Sequence, residues 1–123
     1  MRLFFTLLIL SLLVVSCYET ERDCKAYKTG YFYSEVTISG KLYTSTFNRT
    51  TSLQVETYDG KIDSSTVRWI NDCEMVFHTI NPKNRAEQKD IHLKILSTTD
   101  SSYAFEYSYI GETKKQKGIA YKK

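Results

Sequence analysis

Ile91-His92-Leu93-Lys94-Ile95-Leu96-Ser97-Thr98-Thr99-Asp100-Ser101-Ser102-Tyr103-Ala104-Phe105-Glu106-Tyr107-Ser108-Tyr109 sets the fold class. Ile91, Leu93 and Ile95 alternate with His92 and Lys94. Tyr103, Phe105, Tyr107 and Tyr109 alternate with Ala104, Glu106 and Ser108. A period of two lines one face of a pleated strand, whereas a helix needs its apolar residues three and four apart. Thr99-Asp100-Ser101 between the runs is a turn composition. The stretch therefore reads as two antiparallel strands, each half-buried.

The same pattern extends in both directions. Leu53 and Val55 alternate with Ser52, Gln54 and Glu56, and Val67 and Trp69 with Thr66 and Arg68. Turn signals fall between the runs at Asp59-Gly60, Asn71-Asp72, Asn81-Pro82-Lys83-Asn84 and Gly111-Glu112. About eight strands are expected, near residues 27 to 34, 35 to 40, 41 to 48, 51 to 58, 62 to 70, 74 to 80, 90 to 97 and 102 to 110, with a last one at 116 to 121. Only Arg85 to Lys89 suits a helical turn. Ten tyrosines and a single proline agree with strand over helix. Successive short hairpins give an all-β antiparallel meander, which buries its apolar face by curling into a small barrel or folding into a sandwich.

At the amino terminus Arg2 precedes an apolar run from Leu3 to Val15, too short to span a bilayer and of signal-peptide length. It ends in Val14-Val15-Ser16-Cys17, which resembles the lipobox of bacterial lipoproteins. That resemblance implies a signal peptide at 1–16, diacylglycerol on the Cys17 thiol, a tether at 17–23 and an all-β domain at 24–123. The protein would then sit in the bacterial cell envelope, on the periplasmic face or the outer-membrane surface, with the membrane as a partner through Cys17. The alternative is an ordinary secretory peptide in which Cys17 carries no lipid.

With Cys17 assigned to the anchor, Cys24 and Cys73 remain, and an oxidising compartment lets them pair. They otherwise stay buried thiols. Their spacing, with only His78 and His92 to supplement it, does not suit a zinc site. Cleavage after residue 16 leaves 107 residues, one small domain, with 16 basic against 14 acidic side chains. Such near-balance gives no reason to expect nucleic acid. Glu19, Glu21 and Asp23 lie beside the anchor, and Lys114, Lys115, Lys117, Lys122 and Lys123 crowd the carboxyl end. Those lysines suit either an anionic surface or solvated strand edges.

From Cys24 to Cys73 the order of Lys28-Thr29-Gly30-Tyr31-Phe32, Arg49, Gln54-Val55-Glu56 and Val67-Arg68-Trp69-Ile70-Asn71-Asp72-Cys73 is similar to that of a family of small lipoproteins of flavobacterial type without an assigned activity. Members sometimes carry a DNA topoisomerase IV label, which these residues do not support: an exported domain of this size has neither a phosphate loop nor room for DNA cleavage. Gly30 suits a bulge or a close backbone approach. Arg49, Gln54 and Glu56 form a candidate polar cluster, either a clamp for a carboxylate or sugar or a fold-specifying cross-strand pair. Trp69 is expected to pack on the bridge.

No catalytic or cofactor motif occurs, and both histidines read as ordinary strand residues. Two readings lead: a non-catalytic binding or structural module with an aromatic-lined cavity for a small apolar ligand, walled by the tyrosines of 103–109, or a protein-binding inhibitor module like the lysozyme inhibitors, using the loop Asn81 to Lys89. An enzyme of unknown type is the third.

Overall fold

Turn chemistry places the strands. Ser39 and Gly40 have φ of 51° and 79°, and Asp59 and Gly60 have 49° and 74°. Two consecutive left-handed residues make the hairpin turn whose twist matches that of its strands. The computed structural model describes residues 22–123; the expected signal peptide, Cys17 and most of the tether lie outside the described residues. Eight strands follow one another: β1 (Gly30–Ile38), β2 (Lys41–Arg49), β3 (Leu53–Tyr58), β4 (Lys61–Asn71), β5 (Glu74–Thr79), β6 (Ile91–Thr98), β7 (Ser102–Tyr109) and β8 (Gln116–Lys122). Each pairs antiparallel with the next, and β8 returns to β1 from Phe32↔Lys122 to Thr37↔Lys117, closing a barrel. Closure gives every strand two partners, which a sandwich of two open sheets does not.

The two strands expected at 27 to 34 and 35 to 40 are one. Nothing between Ser34 and Glu35 turns the chain, and Phe32, Ser34 and Val36 keep the same inward side throughout; the turn is at Ser39-Gly40. Residues Cys24–Tyr27 instead form a short 3-10 helix. Gly30 carries no bulge and no tight approach. It pairs in register with Arg49, and its φ of 137° is what calls for glycine. The turn expected at Arg85 to Lys89 is present, with the Gln88 N–H donating to Arg85 O and the Lys89 N–H to Ala86 O.

The barrel has unlike ends. The turns at 39–40 and 59–60 and the loops 80–90 and 110–115 surround a mouth. The β2–β3, β4–β5 and β6–β7 connections form a floor, covered by the 3-10 helix. Cys24 joins Cys73 in the β4–β5 turn, with Cα atoms 5.2 Å apart, so the expected pair is a disulfide that locks the cover to the barrel. Arg22 Nη1 donates to Ile95 O at 2.9 Å, and Tyr27 Oη donates to Thr99 O, tying the same segment to the β6–β7 end.

The core fills the floor half. Phe32 stacks on Phe47 at 4.9 Å between ring centres, and Tyr27 meets Tyr103 edge-on at 5.2 Å. Met75, Ile95 and Ala120 are fully buried, and Trp69 and Cys73 pack against this cluster. Gly118 is fixed by space: a Cβ there would lie 2.7 Å from Glu35 O, Val36 Cγ2 and Phe105 Cζ. The bare backbone of β8 lets the Phe105 ring lie across it.

Candidate functional site: the barrel cavity

Above the core, inward side chains stop meeting across the barrel and leave a cavity of about 380 Å³. At ~30 Å³ per water that is room for about a dozen waters, within the usual range of small-molecule sites. Phe77, Ile91, Leu93 and Phe105 line one side, and Tyr103, Tyr107 and Tyr109 continue up β7 towards the mouth. The opposite side is polar: Arg49, Gln54, Glu56, Asp63 and Ser65, with Tyr43 and Tyr58 above them.

That polar side corrects the reading of β3. Alternation suggested Leu53 and Val55 inside. Instead Gln54, Glu56 and Tyr58 line the cavity, while Leu53 and Val55 are half-buried on the outer wall. Pairing fixes the parity: Arg49↔Gln54 and Phe47↔Glu56 set β3 from one side, and the Asp59-Gly60 turn sets it from the other through Tyr58↔Lys61. Both strand ends agree, so a one-residue slip that would bury Leu53 is unavailable.

Arg49 and Gln54 do come together, and Glu56 stands apart. Arg49, 1 % exposed, uses all five N–H groups. Nε donates to Lys28 O at 3.1 Å, Nη1 to Gln54 Oε1 at 3.1 Å and to Tyr103 Oη at 3.2 Å, and Nη2 to Tyr27 O at 2.6 Å and to Tyr103 Oη at 3.2 Å. Every acceptor is neutral, and among the described residues Arg49 has no ion pair. Its charge is balanced by carbonyl dipoles and by the faces of Phe32, Phe47, Tyr103 and Trp69, 5.1 to 5.8 Å away. This arginine therefore forms no pair with Glu56 among the described residues. It binds the cover segment to β3 and β7 and has no donor left for a ligand carboxylate.

Glu56 has a different neighbour, Asp63, its direct cross-strand partner on the cavity face. Neither carboxyl has an ion-pair or hydrogen-bond partner among the described residues. Burial, and secondly the Asp63 charge, push the Glu56 carboxyl above the usual carboxylate range. Burial likewise raises the Tyr107 hydroxyl, helped by Tyr109 and by Glu56. Asp63 escaped the sequence reading, although the signal was present: a two-residue turn at 59–60 obliges 58 to face 61 and hence 56 to face 63.

Other expected sites fall outside the cavity. His78 Nδ1 lies 2.7 Å from Asp90 Oδ1 and His92 Nε2 lies 3.2 Å from Glu74 Oε1, but both pairs are on the outer wall, and neither histidine lines the cavity. The carboxyl-terminal lysines divide: Lys114 and Lys115 precede β8 at the mouth, while Lys122 and Lys123 lie at the floor. The loop 80–90 folds back over the mouth, with Glu87 Oε2 accepting from the Lys83 N–H and Glu87 lining the cavity. Trp69 donates from Nε1 to Thr51 O at 3.2 Å and lies under the Lys28 ammonium. No family model, curated protein or solved structure matches the chain.

Proposed function

We propose that this chain is a non-catalytic binding module of the bacterial envelope whose barrel encloses a small ligand, anchored through lipid on Cys17. The observation that carries this reading is the cavity of about 380 Å³ between the packed floor and the open mouth. A barrel built only for stability fills its interior with side chains, whereas here the Tyr107, Tyr109, Tyr43 and Tyr58 rings stand around a space. Glu87 of the loop that an inhibitor would extend into a partner is itself among the cavity-lining residues, which favours a ligand entering the barrel over a barrel entering a partner. Cys17 stands five positions ahead of Arg22, which is bound at the floor. About 18 Å of extended chain separates them at most, so the anchor holds the closed end towards the bilayer and the mouth takes its ligand from the aqueous side.

The test is titration of the purified protein with the neutral dye N-phenyl-1-naphthylamine. Saturable one-to-one fluorescence enhancement is expected, abolished when Leu93→Trp fills the cavity. No saturable signal, or one indifferent to that substitution, overturns the reading. Cys17→Ser is expected to release the protein from the membrane fraction and to end palmitate incorporation.

A further inference from the structure

The inner wall carries one pair of residues that neither closes the floor nor fills the core. Glu56 and Asp63 project side by side from β3 and β4, held opposite one another by the two-residue turn above them. Like charges directly opposite on one face of a sheet oppose its pairing, and no cation of the described residues forms an ion pair with either. Tyr43 and Tyr58, 6.2 Å apart between ring centres, cap the same side of the cavity. The face of a tyrosine ring is its negative side, and the Lys41 ammonium already sits 5.1 Å from the Tyr43 ring centre at the rim. The Glu56 and Asp63 carboxyls and the Tyr43 and Tyr58 rings all line this region of the cavity, with Asp63 on its solvent-exposed side, and together they favour positive charge. Arg49 does not reverse it, because all its donors are spent on the floor.

We infer that the ligand is a small organic cation, a protonated amine or quaternary ammonium on an apolar body, with its charged head between the Glu56 and Asp63 carboxyls and the Tyr43 and Tyr58 rings. This rests on the ligand-binding reading of the barrel. The apolar body lies against Phe77, Leu93 and Phe105 across the cavity. A metal ion fits less well: hard divalent cations collect six or more oxygens, and among the described residues no three His, Cys, Asp or Glu side chains are grouped to hold one. Burial and the neighbouring charge hold Glu56 towards its protonated form, and an incoming cation relieves that conflict.

Three probes of matched body and different charge decide it: benzyltrimethylammonium, benzyl alcohol and phenylacetate, each titrated calorimetrically into the purified protein. The cation is expected to bind at least tenfold more tightly than the other two, and that preference is expected to fall to near unity in the Glu56→Gln/Asp63→Asn protein, with each single substitution giving part of the loss. Equal or tighter binding of the alcohol or the anion overturns the inference, as does a preference that survives the double substitution. Displacement of the ammonium by millimolar calcium or magnesium would assign the carboxyls to a metal and also overturn it. If naphthylamine binding is intact while the cation shows no preference, the inference fails alone; if both are absent, the ligand-binding reading fails with it.

Discussion

Arg49 and Tyr103 share one oxygen: both terminal nitrogens of the guanidinium donate to the Tyr103 hydroxyl at 3.2 Å. The pair joins β2 to β7 across the barrel floor, far apart in sequence and fully buried. Burial raises the Tyr103 hydroxyl pKa, although the Arg49 charge and hydrogen bond pull it down, so the tyrosine remains a neutral acceptor. Arg49→Met removes the donors of two buried carbonyls, Tyr27 O and Lys28 O, and is expected to cost about 3 kcal/mol in urea unfolding. Arg49→Lys recovers little, since a single ammonium cannot reach acceptors spread around a planar fork. Tyr103→Phe should cost about 1–3 kcal/mol by stranding two N–H groups. A loss under about 0.5 kcal/mol for Arg49→Met would contradict this account of the floor.

The Cys24–Cys73 bridge spans 49 positions. On the chain-entropy model a loop of that length contributes about 4 kcal/mol, mostly by restricting the unfolded chain. The Cys24→Ser/Cys73→Ser protein should lose about that much in equilibrium unfolding, and reduction of the native protein should produce the same loss.

Gly118 admits no side chain. Gly118→Ala would bring a methyl against Glu35 O, which is backbone and cannot move aside, as well as Phe105 and Val36. A loss of about 1–3 kcal/mol is expected, typical of overpacking. Phe105→Leu in the same protein should recover only part of it, because the clash with Glu35 O persists. Full recovery in a double-mutant cycle would show that the ring alone sets the constraint.

The cavity carboxyl should leave a signature in the pH dependence of stability. Glu56 is raised, chiefly by burial and then by Asp63, so the folded state holds its proton more tightly than the unfolded state. Its contribution is therefore favourable below the ordinary value of 4.5 and is lost as pH rises through the folded pKa. Glu74 works oppositely. The Asn71 hydrogen bond, then His92 and Lys94, lower it, so its contribution is present above its ordinary pKa and lost on acidification. Comparing wild type with Glu56→Gln isolates the first effect: the variant should melt at a higher temperature at pH 7.5, and the difference should close by pH 4. A difference constant with pH would remove Glu56 as its source.

Strand placement was legible because a period of two and turn residues are local signals. Asp59-Gly60, Thr99-Asp100-Ser101 and the 91–109 alternation each state their structure within a few residues. The pairing of Cys24 with Cys73 followed from counting. Closure of β8 on β1 was not legible, since it depends on the summed stagger of every strand. Nor was the orientation of β3. Burial normally selects the apolar face, but Leu53 and Val55 lie on the outer wall while Gln54, Glu56 and Tyr58 face the cavity. Beside a polar cavity wall, register overrode hydropathy. Of Arg49, Gln54 and Glu56, the first two meet and Glu56 does not; the residues completing their surroundings, Tyr27 and Lys28 through their carbonyls, Tyr103 and Asp63, are brought in by pairing and by the floor cover.

The disulfide at the floor also defines a mechanical path. A pull on the amino-terminal segment enters the fold at Arg22 and Cys24, before the first residue of β1. The Cys24–Cys73 bond passes that load to the turn between β4 and β5 on the barrel itself. Without the bond, tension would run through the short 3-10 helix into Gly30 and peel β1 from β2 and β8 one hydrogen bond at a time. With it, force is delivered to a hairpin end already clamped on both sides, and the strands that frame the mouth stay slack.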